Sequence, residues 1–201
     1  MESRTVSNTT FYETAISPQA RAELKKQRPA VIWLTGLSGA GKSTIANALE
    51  TALVAQGKHT YLLDGDNVRT GLCGDLGFSD DDRKENIRRV AEVSNLFADA
   101  GIIVIVAFIS PFRQDRALAR KIIGDGTFLE VFIDTPLAEC ERRDPKGLYG
   151  KARSGLIKNF TGIDSAYEAP DAPDIKISTI DHSIEGAVST ILSKLGQFLK
   201  Y

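Results

Sequence analysis

The sequence predicts an α/β fold of three layers, in which a mostly parallel sheet lies between two layers of helices. Apolar runs rich in β-branched residues alternate along the chain with longer segments of helical character, and parallel strands joined by helices produce this alternation. A glycine-rich turn at residues 36–44, between a strand and a helix, is typical of the same class. The length of 201 residues is close to that of one domain.

Five strands and six helices account for the alternation. The predicted strands are Ala30–Thr35, Tyr61–Leu63, Ile102–Ile109, Phe128–Ile133 and Ile175–Ile177. A short first helix is expected from Pro18 to about Gln27, with Ser17 as its N-cap. The longer helices are predicted at Lys42–Ala55, Arg83–Ala100, Arg113–Ile123, Pro136–Arg143 and Ile184–Leu199. Ser79 and Asp82 match an N-terminal capping pattern before the second of these.

The chain is expected to divide into two regions of unequal size. Residues 1–28 would form an N-terminal arm and the short helix, and residues 29–201 would form the α/β domain. The first 16 residues are rich in Ser, Thr and Asn without periodicity, so we expect a loose arm unless a partner subunit orders it.

Composition excludes several classes of protein. Lys and Arg number 25 against 26 Asp and Glu, and this net charge of −1 argues against a strongly basic nucleic-acid binder. No apolar run reaches the roughly 18 residues of a membrane span, and the first 28 residues lack the apolar core of a signal peptide. Cys73 and Cys140 lie far apart, which indicates neither a disulfide framework nor a zinc site. We therefore expect a cytoplasmic protein that binds neither nucleic acid nor membranes.

The clearest functional motif is a phosphate-binding loop between the first strand and the next helix. Its glycines let successive backbone N–H groups point at phosphate oxygens, and the helix N-terminus adds a partial positive charge. Lys42 would reach the β- and γ-phosphates of ATP, and Ser43 would bind Mg²⁺. The expected nucleotide-binding residues are Gly36, Leu37, Ser38, Gly39, Ala40, Gly41, Lys42, Ser43 and Thr44. The chain length fits a small-molecule kinase better than a motor, a GTPase or a remodelling ATPase.

Two carboxylates, Asp64 and Asp66, follow the second strand. The carboxyl ends of parallel strands are where open sheets bind ligands. If the chain stays extended there, both side chains face the same side, so that one could hold Mg²⁺ while the other accepts the proton of an acceptor hydroxyl. We assign Asp66 as the base and Asp64 to the metal, although the sequence does not decide between the two assignments.

A second group of residues indicates a pocket for an anion and a ring. Arg83 and Asn86 lie one helical turn apart near the start of a helix, with Arg69 and Phe78 in the loop before it. Arginines bind phosphate or sulfate oxygens well, and Phe78 could stack on a base. Each residue taken singly is explained as a solvated charge or a core aromatic, but together with the two aspartates they outline an acceptor site.

Two further segments are expected at the same edge of the sheet. Ile109 and Ser110 follow the third strand, and Ser110 is more simply explained as the N-cap of the helix that begins near Arg113. The basic segment 142–153 is explained either as solvated surface charge or as a mobile lid over a phosphoryl-transfer site. Residues 159–164 would continue such a lid against the acceptor.

With these segments in this order, the chain resembles the adenylylsulfate kinase (APS kinase) family of P-loop kinases. The resemblance spans Val31 to about Ile177. It rests on residues 36–44 and on Leu-Asp-Gly-Asp-Asn-Val-Arg (63–69), Asp-Leu-Gly-Phe-Ser (75–79), Asp-Arg-Lys-Glu-Asn-Ile-Arg-Arg-Val (82–90), Ala-Phe-Ile-Ser-Pro (107–111), Arg-Asp-Pro-Lys-Gly-Leu-Tyr (143–149) and Asn-Phe-Thr-Gly-Ile-Asp (159–164).

The resemblance implies transfer of the γ-phosphate of ATP, with Mg²⁺, to the 3′-hydroxyl of adenosine 5′-phosphosulfate in sulfate assimilation. Its implied catalytic residues are Asp66, Asp64, Lys42 and Ser110, the last being a serine described in the family as a phosphoserine intermediate. Direct in-line transfer needs no such relay. The implied substrate-binding residues are Asp66, Arg69, Phe78, Arg83, Asn86, Ile109, Ser110, Lys146, Gly147 and Leu148. The family also implies a homodimer and a functional link to ATP sulfurylase.

One departure from the family pattern and two alternative functions are retained. Thr70 stands where family members commonly carry His. The protein could instead be another small-molecule kinase of the same fold, or a catalytically silent nucleotide-binding partner of ATP sulfurylase. The intact Lys42, Ser43, Asp64 and Asp66 argue against the silent partner.

Overall fold

Parallel strands form the centre of the structure, a computed structural model that describes residues 10, 12 and 14–198. The strands of this part of the chain are β1 (Ala30–Thr35), β2 (Thr60–Asp64), β3 (Ile103–Ala107), β4 (Phe128–Ile133) and β5 (Ile175–Ile177). Its helices are α1 (Pro18–Leu24), α2 (Lys42–Ala55), α3 (Gly65–Arg69), α4 (Asp80–Asp99), α5 (Arg113–Ile123), α6 (Leu137–Arg143), α7 (Leu148–Arg153) and α8 (Ile184–Phe198). The strands pair in the order β2-β3-β1-β4-β5, and each neighbouring pair is parallel.

Helices cover both faces of the sheet. Successive strand residues point to opposite sides. Ile32 and Leu34 of β1 therefore pack in one apolar cluster with α2 and α8, whereas Val31 and Trp33 pack in a second cluster with α4 and α5. All six residues of β1 are buried, as expected for the central strand of a sheet covered on two sides. The predicted three-layer α/β fold is confirmed.

The carboxyl ends of four strands meet at one edge of the sheet. Asp64 of β2 aligns with Ala107 of β3, which aligns in turn with Leu34 of β1. Thr35 of β1 aligns with Phe132 of β4. The segments that follow these strands therefore share a single edge, which is where an open parallel sheet binds its ligands.

The helix starts confirm two predicted caps. Ser17 and Ser79 each accept, through the side-chain oxygen, the backbone N–H three residues further on, at 3.1 and 3.2 Å. Helix α1 ends at Leu24 and not near Gln27, because Lys26 adopts a left-handed φ of 50°. The Gln27 side chain instead donates to the carbonyl oxygens that precede β2 and β3.

Two short helices stand where loops were expected. Asp64 starts α3 by accepting the N–H of Asp66 at 3.0 Å, so the condition of an extended chain over residues 64–66, under which both carboxylates would face the same side, is not met. Asp144 accepts the N–H groups of Tyr149 and Gly150, both at 3.1 Å, and this starts α7 inside the predicted lid. Helices of five or six residues are too short to produce a periodic apolar pattern.

Of the 16 residues predicted as a loose arm, residues 1–9, 11 and 13 lie outside the described part of the chain, so this prediction is not tested there. The arm's helix α1 is held against the sheet domain by an ion pair between Arg21 and Asp99, with 2.5 Å between the charged atoms. In the described part of the chain, no helix combines the length and the apolar character needed to cross a membrane.

Candidate active site

The phosphate-binding loop lies between β1 and α2, as predicted. Gly36 packs against β4 so closely that a Cβ atom there would lie 2.6 Å from the Ile133 carbonyl oxygen, and only glycine fits. Gly41 caps α2 with a left-handed φ of 104°, which glycine adopts without steric cost. These two glycines let the chain turn sharply from the strand into the helix N-terminus.

Lys42 crosses back over the loop that precedes it. Its Nζ donates to the carbonyl oxygens of Gly36 and Leu37 at 2.9 and 2.7 Å, and the side chain is buried. Burial lowers the pKa of Lys42 to about 8, and the nearby Cys140 and Asp64 oppose this shift. Burial makes the charged form of Lys42 costly in free energy, and the negative charge of bound phosphate oxygens would stabilise that form.

The two predicted carboxylates lie beside this loop and are linked to each other. Ser43 Oγ donates to Asp64 Oδ2 at 2.7 Å, and Asp64 Oδ1 accepts the backbone N–H of Asp66. Asp66 is exposed and forms a close ion pair with Lys146 Nζ. The paired hydroxyl and carboxylate oxygens of Ser43 and Asp64 suit Mg²⁺, which takes oxygen ligands and commonly needs only one or two from the protein.

Phe78 is flanked by two arginines. Arg69 Cζ lies 4.4 Å from the centroid of the Phe78 ring, and Arg83 Cζ lies 5.7 Å from it. The ring is 58% exposed, so a flat ligand can reach it. Arg69 donates to the Gly77 carbonyl at 2.8 Å, and Arg83 donates to the Asn159 carbonyl at 2.7 Å. The predicted anion-and-ring group is therefore assembled, and Arg83 connects it to residues 159–164.

Two buried oxygens near this group have no hydrogen-bond partner among the described residues. They are Asn86 Oδ1 on α4 and Thr161 Oγ1 in the segment that Arg83 contacts. Buried polar atoms without partners are uncommon, because each costs free energy that a ligand donor would recover. Thr161 was not identified from the sequence, in which it lies in a segment predicted as a loop. Its lack of a hydrogen-bond partner depends on the segments packed around it, so the sequence carried no signal for it.

Ser110 lies at the same sheet edge but is almost completely buried, with 2% of its surface exposed. Its Oγ accepts the indole N–H of Trp33 at 3.1 Å, and its backbone has a left-handed φ of 40°. The prediction that Ser110 caps the following helix is wrong, because Phe112 is the residue at that position. The hydroxyl is instead turned toward the sheet, where it satisfies the indole.

The backbone around Ser110 is held by buried side chains. Thr35 Oγ1 donates to the Ile109 carbonyl at 2.7 Å, and the Tyr167 hydroxyl lies 3.0 Å from Thr35 Oγ1. Arg116, ion-paired with the buried Glu130, donates to the Ser110 carbonyl at 2.6 Å. Burial raises the pKa of Tyr167 to about 12, so this hydroxyl stays protonated at neutral pH.

The segment predicted as a lid contacts one of the two carboxylates. It contributes Lys146 to the ion pair with Asp66, and Gly147, with a φ of 64°, is the N-cap of α7. Leu148 is half-buried against the α2 side of the core. The segment is therefore attached to the site through Lys146 and to the core through Leu148.

Other parts of the site surroundings were not assigned from the sequence. A cleft of about 550 Å³ opens beside the phosphate-binding loop, lined by Leu37, Leu137, Gly162, Ile163, Asp164, Ser165, Ala166 and Tyr167. Thr70, where the family pattern commonly has His, ends α3 by donating to the Asn67 carbonyl at 2.7 Å. Its role in this structure is thus local.

Comparison with known proteins identifies what this arrangement is similar to. The family model described as Adenylylsulphate kinase matches residues 28–178. The chain is 62% identical over 190 residues to the adenylyl-sulfate kinase of Aeromonas hydrophila, covering 94% of this chain and 96% of that protein. It is 65% identical over 181 residues to the adenylyl-sulfate kinase of Pseudomonas aeruginosa, covering 90% of this chain and 92% of that protein.

A solved structure agrees with these relatives. The APS kinase of Mycobacterium tuberculosis in complex with AMPPNP and APS is 51% identical and superimposes with a TM-score of 0.82, covering 85% of this chain and 99% of that one. The predicted resemblance and the predicted kinase activity are confirmed by these matches. The chain belongs to the adenylylsulphate kinase family.

Proposed function

We propose that the protein transfers the γ-phosphate of ATP to the 3′-hydroxyl of adenosine 5′-phosphosulfate, giving 3′-phosphoadenosine 5′-phosphosulfate and ADP. The observation that carries this proposal is the continuous contact from Ser43 to Asp64 and on to Asp66. The contact supports the proposal because it joins the loop of residues 36–44 to Asp64 and Asp66, and phosphoryl transfer to a hydroxyl would use a phosphate-binding loop beside one carboxylate for the metal and one for the proton.

The nucleotide would occupy the loop of residues 36–44. Its backbone N–H groups and Lys42 would bind the phosphates, and Ser43 and Asp64 would hold Mg²⁺. Bound there, Mg²⁺ would neutralise charge on the β- and γ-phosphate oxygens. The buried Lys42 ammonium supports this assignment, because phosphate oxygens would supply a stronger partner than the two carbonyl oxygens that it now contacts.

Asp66 would act as the general base. The acceptor 3′-oxygen would attack the γ-phosphorus in line, the bond from that phosphorus to the β–γ bridging oxygen would break, and the hydroxyl proton would pass to the Asp66 carboxylate. Lys146 contacts the same carboxylate. The incoming hydroxyl would therefore have to take over part of the ion pair between Lys146 and Asp66, which leaves Lys146 free to approach the charged phosphates.

The acceptor would lie along Phe78 and its two arginines. Arg69 and Arg83 suit the phosphosulfate anion, and the exposed Phe78 ring suits stacking with the adenine. The unpaired Asn86 Oδ1 is an acceptor for an amino group such as that of adenine, and the unpaired Thr161 Oγ1 is a second polar contact. Ile109, Gly147 and Leu148 would complete the walls of this pocket.

We propose direct transfer without a phosphoserine. Ser110 is buried and its oxygen accepts the Trp33 indole N–H, so a phosphoryl group would have to enter an apolar region beside the sheet. Placing a phosphate dianion in such a region carries a large desolvation cost. Ser110 would instead fix the shape of the pocket wall after β3.

The higher assembly and location are also proposals. We propose a cytoplasmic homodimer with a functional link to ATP sulfurylase. A relative named Bifunctional enzyme NodQ, from Rhizobium meliloti, is 60% identical over 179 residues, which make up 28% of its length. A related segment within a bifunctional protein supports the association of this activity with a second one.

The test is acceptor-dependent formation of ADP. Purified protein is mixed with ATP, Mg²⁺ and adenylylsulfate, beside a control without adenylylsulfate and a Lys42→Ala variant. ADP should form only with both substrates and only in the parent protein. A panel of sugars and nucleoside monophosphates tests the alternative kinase function, and the proposal fails if one of them is used in preference to adenylylsulfate.

A further inference from the structure

Tyr149 connects three parts of the site that are distant in sequence. Its hydroxyl donates to the Ser38 carbonyl oxygen in the phosphate-binding loop at 2.9 Å. The residue itself lies in the first turn of α7, the helix that follows Lys146. Its ring meets the edge of Phe160 with 4.9 Å between centroids and an interplanar angle of 79°. The loop, the Lys146 segment and the segment 159–164 thus meet at one buried side chain.

The bond from Tyr149 belongs to a wider pattern in the phosphate-binding loop. Lys42 takes the first two carbonyl oxygens of the loop, as described above. The Ser38 carbonyl is taken by Tyr149, and the Ala40 carbonyl accepts from Thr135 Oγ1 at 3.0 Å. Side chains therefore hold four of the first five carbonyl groups of the loop in fixed directions.

Holding a carbonyl group also aims the next N–H group. A trans peptide unit is planar, and its C=O and N–H bonds point in opposite directions. The contact with Ser38 therefore sets the direction of the Gly39 N–H, which donates to no acceptor among the described residues. Gly39 has a left-handed φ of 72° and packs against α6, where a Cβ atom would lie 3.0 Å from the Cys140 carbonyl oxygen.

The Tyr149 hydroxyl is well suited to this task. Burial raises the pKa of Tyr149 above its ordinary value, so the group remains a protonated donor throughout the neutral and mildly alkaline range. Only 2% of the residue is exposed, and its contact with Phe160 restricts the ring. Because the Tyr149 side chain is already restricted, little further conformational entropy is lost when its hydroxyl holds the Ser38 carbonyl.

We propose that Tyr149 is a positioning residue for the nucleotide, because its bond to the Ser38 carbonyl directs the Gly39 N–H toward the phosphates. Since Tyr149 belongs to α7, the direction of this N–H then depends on the position of α7. This inference rests on the proposed nucleotide site and adds to it a physical link between the phosphate-binding loop and the segment that carries Lys146. Nucleotide binding and the position of the Lys146 segment are then coupled.

The test uses Tyr149→Phe, which removes the hydroxyl and keeps the ring. The matched control is Tyr61→Phe, because Tyr61 lies near the amino end of β2, away from the site, and stacks on Phe97. The dissociation constant of a non-hydrolysable ATP analogue with Mg²⁺ is measured by calorimetry, together with the melting temperature. Loss of one neutral hydrogen bond should weaken binding by about 3- to 10-fold in Tyr149→Phe, and Tyr61→Phe should bind as the parent does.

The result distinguishes positioning from a structural role. A merely structural hydroxyl would lower the melting temperature or the active fraction and leave the analogue's dissociation constant unchanged, and that outcome overturns the proposal. Steady-state kinetics supply a second criterion: the KM for ATP should rise by more than the KM for the acceptor. The calorimetric measurement contains no acceptor, so an error in the proposed acceptor would leave it unaffected.

Discussion

Ser43 Oγ lies 2.7 Å from Asp64 Oδ2, which joins the phosphate-binding loop directly to the carboxyl end of β2. The two residues come from the first turn of α2 and from the cap of α3. They meet because β1 and β2 end at the same edge of the sheet, on either side of β3. Asp64 thereby serves two groups, since its other oxygen holds the N–H of Asp66 and fixes the second carboxylate.

Replacing the proposed base should stop chemistry and spare nucleotide binding. In Asp66→Asn the side chain keeps its size but can no longer accept the acceptor proton as a carboxylate does, so we expect kcat to fall by about 10²- to 10⁴-fold. The dissociation constant for the ATP analogue should stay within about threefold of the parent value, because the Ser43 hydroxyl bonds to Asp64 and not to Asp66.

Asp125→Asn provides the matched control for this change. Asp125 is exposed in the turn before β4, at the amino end of the strand, and its contact with Arg120 is 3.7 Å long. Its substitution should leave kcat at the parent value. Near-normal turnover in Asp66→Asn would assign the proton to another acceptor.

Asp64→Asn should weaken the binding of Mg²⁺. An amide oxygen is a weaker ligand than a carboxylate, and the amide also changes the partner that Ser43 Oγ now has. We expect the Mg²⁺ concentration for half-maximal activity to rise by about tenfold or more. Titration of activity with Mg²⁺ at saturating ATP measures this, and an unchanged half-saturation point in a catalytically impaired variant would assign Asp64 to the proton and not to the metal.

Local patterns predicted the scaffold of the site well. Residues 36–44 and the bounds of β1 and α2 could be predicted because a strand, a glycine-rich turn and a helix N-terminus are each determined by near neighbours in sequence. Asp64 was expected near the phosphate-binding loop because both follow strands of one parallel sheet, whose carboxyl ends share an edge. The bond between Asp64 and Ser43 Oγ was not predicted, because the distance between two side chains 21 residues apart depends on how the strands and helices pack.

Features set by long-range packing were not predictable in this way. Ser110 looks like a helix cap in sequence, yet it bonds to Trp33, 77 residues away. The Tyr149 hydroxyl finds its partner at Ser38, 111 residues away. Thr161 Oγ1 is buried without a partner because none of the described segments packed around it places a hydrogen-bonding atom within reach. No local pattern of residue types contains this information, since it arises only when separate segments are packed together.

Direct transfer predicts a mild phenotype for Ser110→Ala. The variant removes the acceptor of the Trp33 indole N–H, so we expect a stability loss of about 1–3 kcal/mol from the unsatisfied buried donor. The kcat of the folded protein should remain within about tenfold of the parent, because no bond to Ser110 is made or broken. Thermal unfolding and steady-state kinetics measure the two effects separately.

A covalent relay through Ser110 would behave differently. Ser110→Ala would then lose turnover by several orders of magnitude, and the parent protein incubated with γ-labelled ATP would accumulate acid-stable label at this residue. Detection of such labelled protein, chased into product by adenylylsulfate, would contradict direct transfer.

The buried lysine gives the nucleotide affinity a pH dependence. Burial lowers the pKa of Lys42 to about 8 in the protein without nucleotide, and bound phosphates would raise it by attracting the charged form. At a pH above the Lys42 pKa of the nucleotide-free protein, Lys42 must take up a proton when ATP binds. The affinity for ATP should therefore fall by up to about tenfold per pH unit in that range. Below that pKa, Lys42 is already charged and its contribution should be constant.

Calorimetric titration of the ATP analogue between about pH 7 and 9.5, repeated in two buffers of different ionisation enthalpy, measures both the affinity and the proton uptake. Lys42→Arg is the control, since a guanidinium stays protonated throughout this range. Its affinity should be lower at neutral pH, because the larger planar guanidinium cannot take the position of the compact Nζ at the phosphates. The affinity of this variant should show little decline with pH. An equal decline in the parent and in Lys42→Arg would place the titrating group elsewhere, whereas a decline confined to the parent would assign it to Lys42.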